Sequence, residues 1–440
     1  MATFLDLMME PAFAALVLFA VFFGLLTLGT PISVAIGVSS IIVGLAYMPP
    51  DVIYFVAAQK MFAGIDSFTL LAIPFFILAG NIMNKGGIAI RLINLAKLLG
   101  GRLPGALAHT NIIANMLFGS ISGSAIAAAA AVGGTMGPLQ KKENYDPAFS
   151  AAVNIASAPT GILIPPSGPL ILFSLVAGGT SISALFVGGY LPGILMGLAV
   201  MLVAGLIAHR RGYHSEGRPD RAEALRIVIA ALPALMMVIV VIGGIVIGAF
   251  TATEGAAVAV LYSFVLSLIY RLATWREYFE VLCSSAVMTC AILFLIATSG
   301  IMSYVMTIAA IPDVIAEAIL GFDNPFVVLL IMNICLLVIG FFMDLTPAVL
   351  IFTPIFLPIA REVGMDPVQL GIMMIFNLGV GSMTPPVGSV LFVGCAVADL
   401  RIEQVAKPLL PFLAALVAAL MLVTYVPFLS TGLPRLFGLM

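Results

Sequence analysis

The sequence predicts an all-α polytopic membrane protein, built as an inverted repeat with two re-entrant hairpins and two broken helices. Three features point there. The composition suits lipid: 62% of the 440 residues are hydrophobic, 9% are charged and the mean hydropathy is +1.22, whereas soluble domains carry about 25% charge. Apolar runs of about 18 to 20 residues recur from end to end, the length a helix needs to cross a bilayer, where a transmembrane barrel would show alternating segments of about ten. A block of motifs also occurs twice at matched spacing. The formal net charge of −2 gives no footing for a nucleic acid.

Taken in order, spans are expected at about 11–28, 31–48 and 68–84. The first is kept as a span because Asp6 and Glu10 precede it, where a secretory signal would carry positive charge. The run Gly86 to Gly101 sets Arg91 and Lys97 against a Leu/Ile face and reads as a helix lying along the interface. Residues 104–139 are apolar around a Gly/Ser-rich middle. Two arms of about 16 residues reach roughly 24 Å each, short of the hydrocarbon core, so this segment is expected to enter and return on one side. The span 148–176 contains Pro165-Pro166, which remove two backbone donors and should break it. A span at 181–208 ends the first half, and His209 to Arg226 is a basic connector whose charge reads as a topology signal rather than a ligand site.

The second half, 227–440, follows with spans at 227–249, 252–270 and 283–305. A hairpin at 325–360, a span at 368–398 broken at Pro385-Pro386, and a last span at 409–429 complete it. With the N-terminus outside, fifteen Lys and Arg fall inside and only Lys60, Arg361 and Arg435 outside, as the positive-inside rule requires. Counting either hairpin as one crossing would spoil that division. The four cysteines, Cys283, Cys290, Cys335 and Cys395, lie singly in apolar segments and are expected as buried thiols.

The repeat is read from spacing. YDPAFSAAV begins at Tyr145 and MDPVQLGIM at Met365; from Asp146 to Pro165 and from Asp366 to Pro385 the step is 19 residues in both cases. PPSGPLILF and PPVGSVLFV follow, and a hairpin precedes each Asp-Pro. Five crossings per half is an odd number, so residues 1–208 and 227–440 should enter the membrane in opposite senses. Inverted repeats with a broken helix in each half point to the midplane site of a secondary transporter.

At the breaks Ser157–Gly168 and Leu378–Gly388, freed carbonyls suit a cation and half-helix N-termini suit an anion. The first hairpin tip supplies Ser120, Ser122 and Ser124, hydroxyls suited to ion coordination, although small residues also serve helix packing. The second tip, Asp344-Leu345-Thr346-Pro347, places a carboxylate at membrane depth, where it defaults to a functional role with a bound cation as counter-charge. Glu254 reads as a helix-terminus residue. Asn81, Asn115, Asn154 and Asn377 need partners, and Asn154 and Asn377 sit on the broken helices themselves, as neighbours of the site.

In FGSISGSAIA, YDPAFSAAV, IPPSGP, FMDLTPAVLIFTPIF and MTPPVGSVLFV the chain resembles the large membrane subunit of TRAP (tripartite ATP-independent periplasmic) transporters over essentially its whole length. The resemblance implies a multi-pass protein of the bacterial inner membrane. It implies an elevator mechanism, with both hairpins and both broken helices mobile and the other helices as scaffold. It further implies Na+-driven import of an organic acid, of C4-dicarboxylate, sialic-acid or sugar-acid type. A periplasmic substrate-binding protein would deliver it, and a separate small four-helix membrane subunit would complete the assembly. By position, one sodium site would take the Ser120, Ser122 and Ser124 tip with Thr160, Gly161 and the carbonyls before Pro165. The other would take Asp344 and Thr346 with Gly379, Gly381 and Met383. The substrate would lie between them, near Pro166, Ser167, Gly168, Pro386, Gly388 and Ser389, with Asn154 and Asn377 alongside. The family often has Ser-Asn after Pro-Pro, and this chain has Ser167-Gly168-Pro169.

Two other functions compete. An intramembrane enzyme would need a base near a nucleophile, but His109, His209 and His214 fall near membrane boundaries in this layout. A passive organic-anion channel, or a purely structural subunit, fits the hydropathy but makes no use of paired midplane breaks.

Overall fold

A computed structural model describes residues 7, 9–101, 103–213, 220–271, 273–322, 324–385 and 387–440, with Ala89 described in its backbone only. Asp6, Arg102, His214, Arg218, Pro386 and part of the expected connector lie outside the described residues. Among those described, every regular element is helical. The first group is α1 (Pro11–Thr27), α2 (Ile32–Tyr47), α3 (Pro50–Ile65) and, after a 3₁₀ turn at Phe68–Leu71, α4 (Ala72–Lys85). Helix α5 (Ile88–Gly100) leads into the first hairpin, α6 (Ala106–Ser122) and α7 (Ala125–Lys142). The first broken helix is α8 (Pro147–Ser157), α9 (Thr160–Leu163) and α10 (Gly168–Val176), followed by the long α11 (Ile182–Arg210).

The second half begins with α12 (Arg221–Val246), α13 (Ala252–Tyr270) and α14 (Trp275–Ile308). Helix α15 (Ile311–Leu320) precedes the second hairpin, α16 (Pro325–Phe342) and α17 (Leu345–Glu362). The second broken helix is α18 (Pro367–Gly381) and α19 (Ser389–Ala398); α20 (Ile402–Tyr425) and α21 (Phe428–Leu436) end the chain.

Local chemistry explains the repeated boundaries. Asp146 and Asp366 each precede a proline at the first helical position, and their Oδ1 atoms accept from Ala148 N (2.8 Å) and Val368 N (2.8 Å). Proline there loses no helical bond, and the carboxylate satisfies an amide that the helix leaves open. Glu254 does what its position suggested: it completes a capping box with Thr251 at the start of α13, accepting from Thr251 N at 2.8 Å. Helix α5 lies against α6 and α12; Arg91 sits 3.5 Å over the ring of Tyr270 and donates to Gly87 O.

Two readings need correction. Helix α3 was not expected, because Asp51, Gln59 and Lys60 dilute its apolar pattern; it packs along α14, with Lys60 Nζ 4.6 Å above the Tyr304 ring. The cysteines are not all buried: Cys395 is, Cys335 is half-buried, and Cys283 and Cys290 are exposed on α14. In an oily chain an apolar neighbourhood in sequence marks lipid-facing surface as readily as core.

The described helices sort into two packed groups. Helices α2 to α4 pack on α14 and α4 also on α13, with α1 against α2 and α12 against α13. The hairpins and broken helices form the other group and are interlaced: α19 packs on α7 and α10 on α17, so each broken helix ends against the other half's hairpin. Helices α11 and α20 belong to this second group, touching both broken helices and each other.

Candidate functional site

Both breaks are local consequences of their prolines. After Leu163 the chain turns extended through Ile164 and the Pro165–Pro166 peptide, which is cis. Ser167 caps α10, accepting from Leu170 N, while its own hydroxyl donates to Ile162 O. The two parts of this helix meet at 50°. The carbonyl of Leu163 abuts Gly189 of α11, a position with no room for a side chain. In the second break Val390 N donates back to Ser382 O (2.9 Å), and Ser382 Oγ donates to Gly379 O (2.8 Å). Each loop is thus closed by polar atoms within it, which lipid-depth backbone requires.

The hairpins end in the same way. Gly123 has φ +63°, a conformation that glycine adopts freely, and Ser124 caps α7 by accepting from Ala127 N at 3.2 Å. Asp344 occupies the equivalent cap position of α17, and its Oδ1 accepts from Ser389 Oγ at 3.2 Å. Hairpin and broken helix touch through glycine in both halves: a Cβ on Gly119 would lie 2.7 Å from Gly161 Cα, and one on Gly381 would lie 2.7 Å from Gly340 Cα. Beside each contact is an asparagine pair. Asn115 Nδ2 donates to Asn154 Oδ1 (3.0 Å) and Ser157 Oγ (2.8 Å), while Asn377 Nδ2 donates to Asn333 Oδ1 (2.8 Å).

These contacts bring both tips and both breaks to one cavity of about 560 Å³. Ser122, Ser124, Pro166, Gly168, Asp344 and Thr346 line it. The opposite wall comes from the other helix group: Ser33, Ile73, Ile77, Asn81, Asn84 and Met288. Among its described lining residues Asp344 is the single acid, and none is a lysine or arginine. The cavity can therefore offer oxygen ligands and one negative charge to a cation, and the N-termini of α7, α10 and α17 to an anion.

The remaining expected residues stand around this cavity rather than in it. Ser389 reaches it through Asp344. Ser120 and Thr160 direct their hydroxyls to Leu117 O and Ser157 O in their own helices. Gly161 and Gly381 make the glycine contacts, Gly379 faces Pro159 and Ile162 across the two broken helices, and Gly388 abuts Ser382 O. Met383 and Ser167 are buried, Pro165 lies in the break, and Pro386 is outside the described residues. Asn154 and Asn377 sit in the interhelical pairs, away from the tips. Reading the sequence missed Ser382, Asn84 and Ser33; only Asn81, an amide in an apolar run, gave a signal, and it donates to Ser285 Oγ at 2.8 Å.

A clamp closes each unit at its far end. Tyr213 stacks on Tyr145 with centroids 4.1 Å apart, its hydroxyl accepts from Asp146 N (3.0 Å), and its carbonyl accepts from Gly105 N (3.2 Å). Tyr425 stacks on Phe326 at 4.1 Å and donates to Phe326 O (2.9 Å), while Gln369 Nε2 donates to Thr424 O (2.8 Å). Asp146 also pairs with Arg211 at 2.9 Å. Burial pushes the Asp146 carboxyl up, but the Phe149 amide and Arg211 outweigh it and leave the pKa lowered. A carboxylate whose pKa is lowered by folding adds stability above its unfolded value and loses it as pH falls through the folded one. Asp146→Asn keeps the cap and removes the charge, so wild type and variant should differ modestly in Tm near neutral pH and converge in acid. The pair is part-exposed and solvent-screened, which keeps the difference small; a pH series of thermal unfolding measures it.

Comparison with known proteins bears on the family and the fold. The family model described as "Tripartite ATP-independent periplasmic transporter, DctM component" matches residues 19–429. The chain is 53% identical over 430 residues to Salmonella typhimurium YgiK, covering 98% of this chain and 99% of that protein. It is 37% identical to the sialic acid TRAP transporter large permease protein SiaM of Vibrio cholerae, covering 94% and 97% of the two. Among solved structures it is similar to the Alcanivorax borkumensis YdaH transporter, with a TM-score of 0.57, 13% identity and 88% of each chain covered, a likeness of fold.

Proposed function

This chain belongs to the DctM family of tripartite ATP-independent periplasmic transporters, and from that premise we propose that it moves an organic acid inward by sodium-coupled, elevator-type alternating access. As a large permease subunit it is a multi-pass membrane protein of an organic-acid import system that works with a small membrane subunit and a periplasmic binding protein. The observation that supports the proposal is the convergence of two hairpin tips and two helix breaks on one cavity in which Asp344 is the single acid among the described lining residues.

Sodium would bind at that carboxylate with carbonyl and hydroxyl oxygens around it, and a second ion at the Ser122–Ser124 tip. The substrate carboxylate would take the amide ends of the half-helices between them. The N-terminus would face the periplasm, as the Lys and Arg division requires. The moving unit would be α6 to α11 with α16 to α21, sliding against α1 to α4 and α12 to α14. Helices α11 and α20 thus join the carrier rather than the scaffold, because the Tyr213 and Tyr425 clamps tie their ends to the hairpins and broken helices.

Proteoliposomes test this. With the small subunit and binding protein present, uptake of an organic acid such as sialic acid or a C4-dicarboxylate should require an inward sodium gradient. Uptake indifferent to sodium would remove the coupling, and uptake by the membrane subunits alone, saturating with neither partner, would favour a passive channel.

A further inference from the structure

A second cavity, also about 560 Å³, lies within the hairpin–break group between α7, α8 and α19, at the end that carries Lys141 and Asp399. It is distinct from the first: the two share no lining residue. Its floor is polar and incompletely satisfied. Asn111 is fully buried and its Nδ2 has no partner, and Ser150, 9% exposed, leaves its Oγ without one. Buried polar groups without partners cost free energy of about 1–3 kcal/mol each, so two of them on residues that line one cavity mark a place where something else can supply the bonds. Its rim is exposed and, among the described lining residues, carries one cation, Lys141, and one acid, Asp399. The wall at Gly134 and Gly137 of α7 is open, with nothing within 4 Å of a Cβ placed on either.

We propose that this second cavity binds a small hydroxylated monocarboxylate. A carboxylate is least costly at the rim, where water and the Lys141 ammonium meet it, and Asp399 disfavours a second negative charge there. The neutral hydroxyl-bearing end fits the floor, where the Asn111 amide donates to it and the Ser150 hydroxyl exchanges a hydrogen bond with it. An occupant would tie α7, which starts at the first hairpin tip, to α19, which leaves the second break. The site is therefore placed to sense solute on the Lys141 side independently of the cargo cavity.

The test is direct binding of labelled gluconate to the large subunit purified with its small subunit in nanodiscs, without a sodium gradient or binding protein. Saturable binding is expected, weakened at least about tenfold by Lys141→Gln and by Gly134→Leu, and unchanged by Asp344→Asn in the other cavity. Leucine suits a helix better than glycine, so loss of binding by Gly134→Leu is not loss of fold; thermal unfolding checks this. Absence of saturable binding, meaning a cavity filled by water alone, overturns the proposal. So does binding that Gly134→Leu leaves intact or that Asp344→Asn abolishes. Because transport is not the readout, failure here leaves the transport reading standing, and the reverse also holds.

Discussion

Asp344→Ala is expected to lower sodium-dependent uptake by at least about 100-fold, two decades corresponding to about 2.7 kcal/mol, while the protein still folds. The side chain stands at the second hairpin tip, on the wall of the cavity between the tips, whose described lining includes no lysine or arginine to balance it. A carboxylate there is an electrostatic cost to the fold that a bound cation relieves. Its removal takes an acceptor from the Ser389 hydroxyl but relieves an uncompensated carboxylate, so the melting temperature in sodium-free buffer should hold or rise. Asp344→Asn retains shape and an acceptor for Ser389 but not the charge, and should lose uptake nearly as completely. Normal sodium dependence in either variant would take Asp344 out of the site. Uptake in proteoliposomes, paired with thermal unfolding with and without sodium, separates the two effects: stabilisation by sodium should shrink in both variants.

The second large effect is steric. Gly161→Ala should destabilise the protein by about 3 kcal/mol, the upper end of the usual 1–3 kcal/mol cost of overpacking, because its neighbours are backbone that cannot move aside. The added methyl would meet the backbone of Gly119 and Ser120 rather than a flexible side-chain end. The mirror variant Gly381→Ala meets the backbone of Gly340 and should behave alike. Gly137→Ala, on an open helical face of α7, should be neutral or slightly stabilising. Thermal unfolding of the three in detergent decides: a Gly161→Ala protein that melts with wild type would mean that hairpin and broken helix do not meet there.

Much of this was legible in the sequence, for identifiable reasons. Asp-Pro starts a helix and Pro-Pro ends one by local stereochemistry, so Asp146, Asp366, Pro165 and Pro385 fix their boundaries whatever surrounds them. Hydrophobic run length gave the membrane class. The Asp344 tip was visible because a carboxylate in an apolar run is conspicuous. Other features were illegible because they depend on partners far apart in sequence. Asn333 became meaningful only beside Asn377, and Gly340 only against Gly381. Asn111 and Ser150 are ordinary polar residues until they share a floor.

Run length also misleads where it seems strongest. By length and composition α16 and α17 could each cross a membrane; their tip nevertheless ends in the same cavity as the first hairpin's tip. The sequence by itself determined most of the helices, though not α3, and the breaks and matched motifs, since hydrophobic run length and proline stereochemistry act locally. Only the tertiary structure decided that each broken helix ends against the opposite half's hairpin, that α11 and α20 pack against both broken helices, and that Asp344 rather than Asn154 or Asn377 lines the cavity between the tips. Those outcomes depend on which surfaces pack together, a property of pairs of distant residues that no single stretch of chain contains.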